Sequence, residues 1–347
     1  MEKNNVPLSA KHPYEMLKNE GYSKSLVEKF LPDWWDDSLL KTSAGVFQFA
    51  NILQQKLGLS VNFSPSGEFL VTSNNEQCRF KRRRDTDISE LSMSANLGRA
   101  LGRVAIHCAK NPYTPLPSSA SELRASALEL SDKGYVNFDS LLRFCWQSGI
   151  PVLFLDFLPT KAKRMAGMVT RIDDRPVILL GYKNEQHAKQ LFVLAHELGH
   201  LQRGHIKSNE TLIDDDLESI TEKISGDGKN RQDAEEREAD EFALKLIRGD
   251  LKTVTDNLGR PTSPAVLVAN AIKISKSIHV DPGHIILSFA YQSNDWITAN
   301  KALAFIPNVN DALALLKSQF LANADLEKLS AENRSHLLAM QSIVNGG

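Results

Sequence analysis

The sequence predicts an α+β protein, mostly helical, with a small β-sheet near the middle of the chain. Three observations carry this expectation. Apolar residues recur at helical spacing over most of the chain before residue 149 and after residue 185. Between these regions lie three short runs rich in β-branched and aliphatic residues, 149–155, 166–170 and 176–180, which read as strands, the last two joined by a turn around Asp173-Asp174. The segment 111–117 holds three prolines in seven residues and is followed by two serines, so it marks the clearest linker.

Each element follows from local pattern. Leu26, Val27, Phe30 and Leu31 share one helical face, and Pro32 ends that helix; Phe47, Ala50, Ile52, Leu53 and Leu57 suggest a second, ended by Gly58. A polar stretch with Pro65 and Gly67 precedes a short extended segment within 68–84, which closes on the basic run Lys81-Arg-Arg-Arg84. Residues 88–110, 120–131 and 138–148 read as helices, then come the three strands, then a helix over 185–203. Residues 206–234 are polar, contain Gly226-Asp-Gly-Lys-Asn230, and read as a loop. Residues 233–248 are helical again, and the remainder is helical with breaks near Gly259-Arg-Pro261, Pro282-Gly283 and Pro307. The expected division is a mostly helical region over 1–117, a central domain over 118–250 and a helical region over 251–347.

Composition narrows the class. With 347 residues the chain has room for two or three cores, and 24% charged against 42% hydrophobic residues is ordinary for a globular protein. A net charge of -1 argues against bulk nucleic-acid binding by the whole chain. Cys78, Cys108 and Cys145 lack C-x-x-C spacing, which argues against a thiolate metal site or a disulfide framework. The N-terminus has no apolar signal region and no run is long enough to span a membrane, so the expected location is the cytoplasm, with no membrane partner.

The chemistry concentrates in His196-Glu197-Leu198-Gly199-His200, inside an apolar helical run from Leu191 to Leu201. Residues four apart lie on one helical face, so both imidazoles can reach one metal ion while Glu197 can address a water on it. The expected cofactor is Zn2+, with His196 and His200 as ligands and Glu197 as general base of peptide hydrolysis. Gly199 costs helix stability, about 1 kcal/mol against alanine, which suggests either close backbone approach beside the metal or a neutral packing reason.

A catalytic zinc takes a third protein ligand. Glu236 and Asp240 are also four apart, on the next helix: Glu236 can bind zinc while Asp240 accepts a hydrogen bond from a ligand histidine and fixes its tautomer. Glu235 and Glu238 are the alternative ligands, and an acidic, solvated face is the plain alternative to any ligand. A three-histidine site would need glycine and histidine seven and ten positions after the first histidine. Gly204 and His205 fall at eight and nine, so His205 reads as a helix C-terminal residue. His187 reads as a surface residue, and Tyr182 as a loop residue rather than an oxyanion donor.

Taken together these blocks resemble the ImmA/IrrE family of zinc metallo-endopeptidases. The resemblance runs from about Gly149 to Ile247 and includes Gly149-Ile-Pro-Val, Ala166-Gly-Met-Val, Pro176-Val-Ile-Leu-Leu, Phe192 to His200, and Glu236-Arg-Glu-Ala-Asp-Glu-Phe-Ala243. It implies a zincin-like metallopeptidase core with a small β-sheet, flanked by helical N- and C-terminal regions, and so an ImmA/IrrE-like metallopeptidase domain over 118–250. It implies zinc on His196, His200 and Glu236 with Glu197 as base. It also implies a protein substrate, a repressor of the helix-turn-helix type, whose cleavage switches on genes in phages, mobile elements or stress responses.

The chain departs from that pattern in two places. The loop after His200 is long, and 209–241 holds 13 acidic against 4 basic residues, suited to covering the cleft or to a basic DNA-binding substrate. The region 1–117 has helices and a regulatory, helix-turn-helix-like character is expected of it, but no full helix-turn-helix pattern is present. Lys81-Arg-Arg-Arg84 offers at most a weak DNA contact, and Trp34 and Trp35 read as packing residues. The rival readings are a DNA-binding transcriptional regulator, or a toxin–antitoxin or phage-defence component, whose peptidase-like domain acts mainly in partner binding. A binding module has no need of Glu197, which favours the peptidase.

Overall fold

The computed structural model describes residues 11–65, 68–72, 78–81, 88–156, 158, 162–181, 185–214, 231–307 and 311–343. The protein is α+β and mostly helical, 58% of it in helices. Its centre is a five-stranded mixed sheet of β3 (Cys78–Lys81), β4 (Val152–Phe154), β5 (Gly167–Ile172), β6 (Arg175–Leu180) and β7 (Thr211–Asp214), in the order β3-β7-β5-β6-β4. The β5–β6 hairpin turns on Asp173 and Asp174, with φ of 48° and 63°. Two consecutive positive φ values suit the right-handed twist of the strands, and aspartate tolerates them.

Both faces of this sheet are covered, so its strands are apolar on both sides and alternate strictly in what they touch. Leu153, Met168, Ile172, Val177, Leu179 and Ile213 belong to one core cluster, with helix α4 (Ile88–Cys108). Val152, Phe154, Val169, Ile178, Leu180 and Leu212 belong to the other, with helices α6 (Phe138–Gln147), α7 (His187–Gln202) and α8 (Arg231–Arg248). Two glycines let α4 approach. A Cβ on Gly98 would lie 2.7 Å from the Met168 sulfur, and one on Gly102 would lie 3.2 Å from Ile172 Cδ1. Helix α4 and strand β3 come from the first 117 residues, yet α4 packs on the sheet and β3 extends it, parallel to β7.

The rest of the N-terminal part is α1 (Lys11–Asn19), α2 (Lys24–Val27), α3 (Ser43–Leu57) and a hairpin of β1 (Ser60–Phe63) with β2 (Phe69–Thr72). Leu26, Val27 and Phe30 are buried as their spacing predicts, and Gly58 ends α3 in the left-handed conformation at φ 68°. Trp35 stacks on Phe49 at 5.3 Å between ring centroids, whereas Trp34 is 55% exposed, so only one of the two tryptophans packs inward. The side chain of Lys81 and residues 82–84 lie outside the described residues, as does Tyr182.

Helix α5 (Ala120–Glu129) packs on α8. Helices α9 (Pro264–Ile278), α10 (Pro282–Ser293) and α11 (Trp296–Ala304) form a third cluster, joined to α7 through Ala188. The expected breaks near Pro261 and Pro282 fall between helices, where Pro264 and Pro282 hold first-turn positions, capped by Ser263 and Asp281. Helix α12 (Ala312–Asn323) covers β4 and α6, and α13 (Ala331–Met340) returns to α4. Strand β1 and one further strand escaped the sequence reading. Thr211–Asp214, inside the stretch read as loop, is the buried strand β7, and 215–230 lie outside the described residues. No described helix is long and apolar enough to cross a membrane.

The proline-rich segment is packed rather than free. Gly149 has φ 69°, and a Cβ there would fall 2.2 Å from the Pro112 carbonyl oxygen. Gly149→Ala combines left-handed strain with a backbone clash and is expected to cost about 2 kcal/mol or more. Chemical denaturation of the variant beside wild type measures it.

Candidate active site

Helix α7 is buried on nearly every side. Leu191, Val193, Leu194, Ala195 and Leu198 are fully buried, and so are His196, Glu197 and His200. Gly204, at φ 71°, ends the helix, and the His205 amide donates to the His200 carbonyl at 3.0 Å. Helix α8 lies against α7 at Gly199, where an added Cβ would meet Ala239 Cα and O, both at 2.9 Å. The close approach at Gly199 is therefore real, and it carries the α8 carboxylates to the imidazoles.

His196 Nε2 and His200 Nε2 are 2.9 Å apart. Glu236 reaches both, with Oε2 3.3 Å from His196 and Oε1 3.5 Å from His200. Asp240 Oδ1 is 2.8 Å from His196 Nδ1. A fourth carboxylate, Asp214 at the end of β7, brings Oδ2 to 3.3 Å from His196 Nε2. One donor atom from each of His196, His200, Asp214 and Glu236 lies within 4.8 Å of all the others, and all four residues are buried.

The hydrogen bonds assign the tautomers. An ionised carboxylate can only accept, so Asp240 fixes the proton of His196 on Nδ1. Glu238 Oε2, 3.1 Å from His205 Nε2, likewise holds a proton there, which leaves His205 Nδ1 to accept from His200 Nδ1 at 2.9 Å. Both Nε2 lone pairs then point at one another across 2.9 Å, an arrangement that needs a cation or a proton between them. In the metal-free protein a proton serves: burial opposes charge on His196, but Asp214, Asp240 and Glu236 outweigh it and hold its pKa well above the usual range. Burial, with the Asp214 and Glu236 charges, likewise pushes Glu197 well above the usual carboxylate range. The oxygens of Glu197 and Asp214 are buried without a hydrogen-bond partner of good geometry among the described residues.

These residues fit a divalent cation. The donor set is two neutral imidazole nitrogens and carboxylate oxygens, the set zinc takes. A cation also balances a buried excess of carboxylates that protein groups leave partly unsatisfied. Gly167 makes room for the base, since a Cβ on it would strike Glu197 Oε1 at 2.1 Å.

The structure brings His196, Glu197, His200, Glu236 and Asp240 into one buried cluster. The alternative ligands are engaged elsewhere, Glu235 with Arg79 and Glu238 with His205. His205 lies just past the end of the helix, and its ring turns inward as the partner of His200, a role its wrong ligand spacing hid. His187 is half-buried at the surface, where it pairs with the exposed Asp311 at 2.7 Å. Asp214 was missed because it opens the run Asp214-Asp-Asp216, which reads as solvated charge. The one signal was Thr211-Leu-Ile-Asp214, too short to stand out as a strand.

A helix carrying H-E-x-x-H against a mixed sheet, with a carboxylate helix packed across it, is an arrangement suited to a metallopeptidase. Residues 145–254, from the end of α6 to just past α8, match the family described as IrrE N-terminal-like domain, Peptidase_M78. The match supports a peptidase of the ImmA/IrrE type over that stretch. No curated protein and no solved structure matches the chain.

A carboxyl whose pKa is raised on folding favours the folded state below its ordinary range and loses that contribution as pH rises. Glu197→Gln removes the loss, so the metal-free variant is expected to melt a few degrees above metal-free wild type at pH 7. The gap should close below about pH 4, where the wild-type carboxyl is protonated in both states. Calorimetry of both proteins in chelator across that range tests it.

Proposed function

We propose that this protein is a zinc-dependent endopeptidase that cleaves a specific regulatory protein, a repressor of the helix-turn-helix type, and so controls gene expression. The observation that carries the proposal is the convergence of two imidazole Nε2 atoms on carboxylates beside buried Glu197. His196, His200 and Glu236 would hold the zinc, which supplies Lewis acidity at the scissile carbonyl. Asp240 orients His196, and His205 orients His200. Glu197 takes the proton of the attacking water and returns it to the leaving amine, work suited to a buried carboxylate beside the metal ligands. The buried surroundings exclude other water and strengthen each of these interactions.

The substrate class rests on the resemblance to ImmA/IrrE peptidases together with charge. Of the 13 acidic residues of 209–241, Asp214, Glu235, Glu236 and Asp240 are buried, and the other nine against 4 basic ones suit a basic, DNA-binding partner. A repressor substrate places the activity in the cytoplasm, where a weak DNA contact by the N-terminal region would bring enzyme and substrate together.

The test is zinc content by mass spectrometry, with incubation of the purified protein and the helix-turn-helix repressors encoded beside its gene. Wild type should hold about one zinc and cut one repressor at a defined bond, with the rate falling on the order of 100-fold or more in Glu197→Gln. His196→Ala should lose metal. Equal cleavage by Glu197→Gln would overturn the mechanism, and cleavage of other proteins but no repressor would overturn the substrate class.

A further inference from the structure

We infer that Asp214 is a fourth protein ligand of the metal, so that the resting site is closed by His196, His200, Glu236 and Asp214. The inference rests on the metallopeptidase reading and goes beyond it, because that reading needs only three protein donors and leaves a position open.

Four observations point to Asp214. Its Oδ2 lies 3.3 Å from His196 Nε2, the same distance at which Glu236 Oε2 lies from that atom. It is fully buried, and neither carboxylate oxygen has a hydrogen-bond partner of good geometry among the described residues. A buried carboxylate left so is unfavourable unless a cation balances it. Finally, the backbone holds it in place. Asp214 pairs with Gly167 in the β5–β7 ladder, and its carbonyl accepts from the Ala166 amide at 2.8 Å. Strand alternation then puts its side chain on the face of Leu212, which packs toward α7. Gly167, lacking a Cβ, leaves the space opposite clear for Glu197.

Asp240 and Glu238 also lie near the histidines, but each faces an Nδ1–H or Nε2–H donor and so serves a ligand rather than the ion. Asp214 faces the Nε2 edge that the ion would occupy. A site closed by four protein donors has no position for water, so hydrolysis requires Asp214 to leave. The resting enzyme is therefore latent, and substrate or a partner must displace Asp214 from the metal.

The experiment loads full-length wild type, Asp214→Ala and Asp214→Asn with Co2+. Chelator competition gives affinity and the visible absorption band reports the donor set, with circular dichroism checking the fold of each variant. Asp214→Ala should weaken Co2+ binding about 10-fold or more and change the position and intensity of the band, as water replaces a carboxylate. Asp214→Asn keeps the shape of the side chain and serves if the alanine variant does not fold; it should also weaken binding. Unchanged affinity, or weaker affinity with an unchanged band, would overturn the assignment, the second making Asp214 only a neighbouring charge. If wild type binds neither Co2+ nor Zn2+, the metallopeptidase reading itself fails. If wild type binds and the Asp214 variants match it, only the fourth ligand fails.

Discussion

The contact between Gly199 of α7 and Ala239 of α8 governs the rest of the site. With no side chain at 199 the two helices touch at backbone distance, where a Cβ would be 2.9 Å from Ala239 Cα and O. That closeness lets short carboxylates on α8 reach both edges of the imidazoles on α7. Asp240 takes the Nδ1 edge of His196 and Glu236 the Nε2 edges of both histidines. The glycine's cost in helix propensity is offset by what it positions.

Around this contact the molecule solves a problem of buried charge. Glu197, Asp214, Glu236 and Asp240 are all buried within reach of two imidazoles, and His205 and Glu238 continue the network outward. Such a cluster is stable only if protons or a cation balance it, and the raised pKa values of His196 and Glu197 are the protein's answer without metal. The rigid support comes from a sheet buried on both faces, between α4 on one side and α6, α7 and α8 on the other. Packed helices and an interior strand hold these carboxylates together against their mutual repulsion.

Much of the site was legible in the sequence because its parts are local. The four-residue spacing of His196 and His200, and of Glu236 and Asp240, is a property of one helical turn and needs no tertiary information. The β5–β6 hairpin was legible from Asp173-Asp174, since turn chemistry is local too. His205 and Asp214 were hidden for opposite reasons. His205 stands at the wrong offset for a ligand, and only the reversal after Gly204 turns its ring back to His200. Asp214 sits in an acidic run, and its burial follows from a β5–β7 pairing that joins strands across helix α7.

The sequence by itself determined the helical and strand periods, the H-E-x-x-H turn, the Glu236/Asp240 pair and hence the class of chemistry. Tertiary structure alone decided that α4 and β3, from before the proline-rich segment, complete the central sheet unit. It also decided that Glu235 and Glu238 pair with Arg79 and His205, and that Asp214 faces the imidazole Nε2 edge. The physical reason is that residue spacing fixes which side chains share a face, while only the packing of one element on another fixes what that face meets.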